Sequence, residues 1–99
     1  MPAAEVLARV QDMTIAREEF LRSLPAAVAG AAFVVEGGEV RPVEPGQGWR
    51  IRLEPLPELR LGALRLARHR VTIFLAGRDA AATQRFLDRF ELYFRRGGG

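Results

Sequence analysis

The chain contains no cysteine, no lysine and no asparagine, and it has one histidine and one serine. Without cysteine it can form neither a disulfide nor a thiolate nucleophile, which suits a reducing compartment. A zinc site recruits three or four His, Cys or carboxylate ligands, so one histidine without cysteine makes such a site improbable. The single serine, Ser23, lies outside any nucleophile-elbow pattern. These gaps favour a non-enzymatic protein with no metal and no cofactor.

Two isolated features do not change that expectation. His69 lies between Arg68 and Arg70, and the pattern predicts a histidine in a surface turn. Residues 46–48 (Gly-Gln-Gly) lack the third glycine of a dinucleotide-binding fingerprint, and they precede a predicted strand instead of a helix. Neither feature predicts a catalytic or nucleotide-binding site.

Long hydrophobic runs are also missing. The longest, residues 26–35, has ten residues and is too short to cross a bilayer. The amino terminus has no basic region followed by an apolar stretch, so no signal peptide is predicted. We therefore expect a cytoplasmic protein with no membrane partner.

Arginine, by contrast, is abundant. All 15 basic residues are arginine, and 12 acidic residues leave a net charge of +3. The charge is uneven, because residues 1–47 carry −3 and residues 48–99 carry +6. Such asymmetry steers association with anionic partners but does not determine the fold.

The length of 99 residues predicts a single domain. We assign it to residues 14–96, with residues 1–13 as a mobile N-terminal extension and residues 97–99 as a glycine tail. Apolar residues recur at helical spacing after Thr14, which is the expected N-cap. Pro25 is expected to kink or end this helix near Leu24, and a second short turn is expected to run to Gly30. A long helix follows Asp79, and its apolar face comprises Ala82, Phe86, Leu87, Phe90, Tyr93 and Phe94.

Between the helices the apolar period changes to two, which predicts strands. The first extended segment, residues 31–36, is followed by a Gly37-Gly38 turn and by the start of another extended piece, which Pro42 breaks into a loop. The later extended segments are residues 49–54, 59–66 and 71–76. A β-bulge at Gly62-Ala63 would keep the leucines of the third segment on one face. The order predicts an α+β two-layer sandwich of about four antiparallel strands, with the N-terminal helix and the long C-terminal helix on the leucine face.

Arginines alternate with apolar residues along these strands and are expected on the face opposite the leucines. They would contact nucleic-acid phosphates or an acidic protein, although a sheet with one solvated face predicts the same alternation without any ligand. This face offers no aromatic ring for base stacking. The candidate anion or partner surface comprises Arg50, Arg52, Arg60, Arg65, Arg68 and Arg70.

Residues 71–76 are uncharged and hydrophobic on both faces. As the last strand of a simple meander they would form an exposed edge, which a second copy of the chain would cover. A central position in the sheet of a monomer would cover them equally well. We expect a homodimer anchored by Phe74, and the candidate interface comprises Val71, Ile73, Phe74 and Leu75.

The C-terminal glycines resemble the diglycine ending of ubiquitin-like proteins and sulfur carriers, whose terminal carboxylate is activated by adenylation. The resemblance covers Gly98 and Gly99 alone. In those families the tail follows a strand of a β-grasp fold, whereas here it follows a predicted helix. We therefore expect a small accessory or protein-interaction module that self-associates, with a nucleic-acid-binding module and a diglycine-tail carrier as the alternatives.

Overall fold

A computed structural model describes the backbone of residues 4–98 and the side chains of residues 4–94. The elements in chain order are β1 (Glu5–Met13), α1 (Arg17–Ala27), β2 (Phe33–Glu36), β3 (Glu39–Pro42), β4 (Trp49–Leu61), β5 (Leu64–Ala76) and α2 (Ala80–Gly98). The strands form one antiparallel sheet in the order β1-β5-β4-β3-β2. The α+β sandwich is confirmed, with five strands where about four are expected.

The two helices and one face of the sheet enclose a single core. Ile51 and Ile73, from the two strands at the centre of the sheet, lie opposite each other and are fully buried. Phe94 of α2 stacks on Phe20 of α1 with ring centroids 4.8 Å apart, and Phe90 lies 4.5 Å from Phe94. The predicted core, formed by the aromatic rings of the helices and the apolar side chains of the strands, is therefore present in this part of the sheet. Tyr93, expected within it, is 40% exposed.

The fifth strand is the N-terminal segment. Residues 5–13 form β1 at the edge of the sheet beside β5, instead of the expected mobile extension. Most side chains of β1 are exposed on both faces, and only Met13 is fully buried. An edge strand with so little buried surface has no apolar alternation, which explains why the sequence pattern does not reveal it.

The start of α2 agrees with the sequence prediction, whereas the start of α1 does not. The N-cap of α1 is Ala16 instead of Thr14, and the helix passes through Pro25 before it ends. In α2 the expected cap is present, because Asp79 Oδ1 accepts a hydrogen bond from the backbone N–H of Ala82 at 2.8 Å. This helix continues to Gly98, and Gly99, the last residue of the predicted tail, lies outside the described residues.

Strands β4 and β5 are each 13 residues long and form one hairpin. Gly62 and Ala63 form its two-residue turn, and the φ of +61° at Gly62 is the conformation that a type II′ turn needs at its first position. The bulge lies elsewhere, between Leu56 and Leu59, where two residues of β4 oppose one residue of β5. The side chains of β4 therefore change faces before the turn.

Candidate functional site

The β4–β5 hairpin is longer than the strands that flank it. β1 pairs with β5 from Ala76 to His69, and β3 pairs with β4 at Ile51 and Arg52. Residues 56–68, here called the arm, extend beyond both neighbours and give the molecule dimensions of 51 × 26 × 22 Å. A two-stranded hairpin alone is marginally stable in water, so the arm is the part of the sheet that lacks support.

One face of the arm consists of leucines. Leu59 lies opposite Leu66, and Leu61 lies opposite Leu64 beside the turn. By the alternation along β5, these leucines lie on the face of the sheet that points away from the helices. Leu59, Leu61 and Leu64 are 38, 55 and 61% exposed. The leucine face comprises Leu56, Leu59, Leu61, Leu64 and Leu66.

This placement is the reverse of the sequence prediction, which puts the arm leucines on the face of the sheet that the helices cover. The sequence predicts the leucines on the helix side because residues 59–66 are expected to form one strand with a bulge at Gly62-Ala63, where the structure has a hairpin turn. The true bulge precedes Leu59, so the leucines point outward, while Arg60 and Arg65 lie on the opposite face and directly across from each other. Arg68 lies opposite Leu56. None of these three arginines has an ion-pair partner in the described part of the chain.

Closer to the centre of the sheet, the outward face is covered by ion pairs. Arg50 donates hydrogen bonds to both carboxylate oxygens of Glu5 at 2.8 and 3.0 Å and to those of Glu39 at 2.5 and 2.9 Å. Arg52 Nε lies 3.6 Å from Glu39. The hydrogen bond with Glu5 is the main cause that raises the pKa of Arg50, and it lowers the pKa of Glu5 below its ordinary value.

Arg70 makes a similar pair with β1. Its Nε and one terminal nitrogen donate to the two carboxylate oxygens of Asp12 at 2.8 and 3.2 Å. This hydrogen bonding lowers the pKa of Asp12. The acids of the first half of the chain thus neutralise arginines of the second half inside the fold. The six arginines of the candidate surface do not form one comb, because three are paired and Arg60 and Arg65 face the other way.

Phe74, the expected dimer anchor, lies beneath the paired arginines. The guanidinium carbons of Arg50 and Arg52 are 4.0 and 5.4 Å from its ring centroid, which is the geometry of a cation–π contact. The aromatic ring is therefore already covered within the monomer.

The other members of the expected interface are buried. Val71, Ile73 and Leu75 are 1, 0 and 1% exposed, because β5 lies between β1 and β4. The interface proposed from the sequence at Val71, Ile73, Phe74 and Leu75 is therefore misplaced: the strand is central. The dimer prediction assumes that residues 71–76 form an edge strand. The strand at this edge of the sheet is β1, which the sequence pattern does not reveal.

His69 lies within β5 and not in a surface turn. It is half-buried, and its Nδ1 donates a hydrogen bond to the carbonyl oxygen of Ile15 at 2.8 Å. A carbonyl can only accept, so Nδ1 carries the proton in this contact. The imidazole joins β5 to the connection between β1 and α1, which is a structural role.

Comparisons with protein-family models, with curated proteins and with solved structures returned no match. Neither described helix combines the length and the apolar character needed to cross a bilayer. Within residues 4–94, no three His, Asp or Glu side chains converge as metal ligands do. The candidate site therefore follows from the geometry of the arm.

Proposed function

We propose that the protein is a small non-enzymatic interaction module that self-associates through the leucine face of its arm. One observation carries this proposal: a row of half-exposed leucines lies on a hairpin that no neighbouring strand supports. Large exposed apolar patches on soluble proteins mark interaction sites. Covering this patch would both remove leucine from water and stabilise the arm.

A second copy of the chain is the partner that fits this surface. Arg68, opposite Leu56, lies on this face at the base of the arm, but the positions beyond it, Leu59, Leu61, Leu64 and Leu66, carry no charge. Two-fold symmetry can bring this outer part against itself without opposing like charges. Arg60 and Arg65 would then remain on the solvated side of each arm. Half-exposed Leu7 and Val10, on the same outward face of β1, can extend the contact toward the body of the sheet.

The energy of such a contact is modest. Burying the exposed parts of Leu59, Leu61 and Leu64 contributes roughly 1 kcal/mol each, and therefore about 6 kcal/mol for two copies. Association itself costs about 4–15 kcal/mol, so the outward residues of β1 are needed as well. We expect a dimer whose dissociation constant is on the order of micromolar.

The other functions considered receive less support. Arg50, Arg52 and Arg70 already bind carboxylates, which leaves a nucleic-acid backbone few free guanidinium groups on the outward face. The free pair Arg60 and Arg65 still offers an anionic protein a contact. The diglycine-tail alternative gains no further observation, because Gly98 belongs to α2. The cytoplasmic location rests on the cysteine-free composition and stays a prediction.

Light scattering after size-exclusion chromatography, from about 5 to 500 μM protein, tests the proposal. The wild type is expected to move from monomer to dimer across this range. The double variant L61E/L64E is expected to stay monomeric with an unchanged circular dichroism spectrum. The control is L92E on α2, because Leu92 and Leu64 are both 61% exposed; it is expected to dimerise like the wild type.

Two results would contradict the proposal. One is a wild-type protein that remains monomeric at every concentration. The other is a dimer that persists in L61E/L64E, which would move the interface away from the arm.

A further inference from the structure

A cavity of about 240 Å³ lies at the end of the sheet far from the arm. It is open to solvent on one side and is bordered by the C-terminal end of α1, the loop before β4 and the first turns of α2. Trp49 and Phe86 supply aromatic surface, and three arginines, Arg78, Arg85 and Arg89, line it as well. We propose that this cavity binds a small aromatic phosphate, with the ring against Trp49 and Phe86 and the phosphate on the arginines.

The arginines of the cavity have carbonyl partners or none. Arg78 donates through Nη2 to the backbone oxygen of Gln47 at 2.7 Å, while its buried Nε has no hydrogen-bond partner. Arg89 Nε donates to the backbone oxygen of Ala26 at 2.8 Å. Arg85 has no hydrogen bond or ion pair within the described residues. The buried Nε of Arg78 has almost no accessible surface, so the free donors that a ligand oxygen can reach are those of Arg85, whose side chain is exposed.

The charge of the cavity is also unbalanced. None of the described side chains that line it carries a carboxylate, in contrast to the outward face of the sheet, where Arg50 contacts two glutamates. Arg85 and Arg89 are one helical turn apart, and like charges at this spacing repel each other. An anion between them would remove the repulsion. Guanidinium groups bind phosphate oxygens through paired hydrogen bonds, and a phosphate monoester carries nearly two negative charges.

The apolar part of the cavity selects the rest of the ligand. The guanidinium carbon of Arg78 lies 5.0 Å from the ring centroid of Phe86, so cation and ring form one continuous wall. Small-molecule sites combine such apolar walls with a few convergent polar groups and usually measure about 300–1,000 Å³. A cavity of about 240 Å³ is smaller, and it therefore fits one aromatic ring with its phosphate.

The single tryptophan of the chain provides the readout, because Trp49 lines the cavity. Its fluorescence is followed while the wild-type protein is titrated with phenyl phosphate, with inorganic phosphate and with phenol. Phenyl phosphate is expected to produce a saturable change at lower concentration than either fragment. No saturable change up to millimolar phenyl phosphate, or equal binding of phenol, would overturn the proposal.

A matched pair of variants tests the role of the arginines. R85A is expected to fold, since the side chain has no partner, and to weaken phenyl phosphate binding about tenfold, the loss expected for one charge-assisted hydrogen bond. R22A removes the same charge from an exposed position on α1 outside the cavity, and it is expected to bind like the wild type. Unchanged affinity in R85A, or an equal loss in both variants, would contradict the assignment.

Discussion

The two ends of the β4–β5 hairpin have similar sequences and different surroundings. In the body of the sheet, Ile51 and Ile73 lie under the helices, and the arginines beside them bind acids from β1 and β3. In the arm, Leu61 and Leu64 are more than half exposed, and Arg60 faces Arg65 without a carboxylate. The alternation of apolar and basic residues is common to both ends. What differs is which elements lie beside the strands.

This difference shows that alternation alone does not establish burial. A strand with period-two hydrophobicity has one face suited to a core, but another element must reach that face. In the body the helices and flanking strands do so. In the arm none of the other strands in residues 4–98 does, and the surface is left available to another molecule.

Truncation of equivalent apolar residues gives the largest predicted contrast. Ile73→Ala in the body is expected to lower the free energy of unfolding by about 3–4 kcal/mol, because it leaves a cavity in a fully buried site. Leu64→Ala in the arm is expected to cost less than about 0.5 kcal/mol in the monomer. Urea denaturation at low micromolar protein measures both. Equal losses would mean that the arm is as well packed as the body.

Glycine substitutions extend the contrast to the loops. Gly48 has φ +71°, and a Cβ there would clash with the backbone oxygen of Ala76. Gly62 has φ +61° but open space around it. We expect Gly48→Ala to cost about 3 kcal/mol and Gly62→Ala about 1 kcal/mol, the strain of the left-handed conformation alone. Thermal unfolding of the two variants checks the order, and a reversed order would contradict this geometry.

Acid titration is expected to give the smallest effect. Arginine partners lower the pKa of Glu5 and of Asp12 in the folded state, so their stabilising contribution is present above the ordinary pKa. It is lost as the pH falls through the folded pKa, below roughly pH 4. Glu5→Gln and Asp12→Asn are each expected to reduce this acid dependence slightly, because the pairs are exposed and screened.

The control for the titration is Glu58→Gln in the arm, where the carboxylate has no ion pair among the described residues. Urea midpoints measured from neutral pH to about pH 2 compare the three variants. An unchanged acid dependence in Glu5→Gln and Asp12→Asn would show that the ion pairs do not contribute to stability.

Local patterns predict part of this fold. The aromatic spacing of α2 and the cap at Asp79 identify that helix, since both signals lie within a few residues of one another. The alternation from Trp49 to Leu53 correctly places Trp49, Ile51 and Leu53 in the core. Such features depend on near neighbours in the sequence.

The rest depends on distant partners. β1 has no alternation to detect, because it lies at an edge and pairs with a strand near the other end of the chain. The ion pair of Arg50 with Glu5 joins residues 45 positions apart. The position of the bulge decides which face the arm leucines occupy, and Gly62-Ala63 fits both a bulge and a turn. The sequence pattern therefore places Arg50 and Arg52 on the outward face, where they lie, but it places the arm leucines, Arg60 and Arg65 on the wrong faces.

The central claim is that the arm is stabilised by a second copy while the body is stable alone. Amide hydrogen exchange at about 5 and 500 μM protein tests it most directly, because exchange reports local opening residue by residue. We predict that amides of residues 56–68 become more protected as concentration rises, while those of Ile51 and Ile73 do not change. Protection of the arm that is the same at both concentrations would contradict the account.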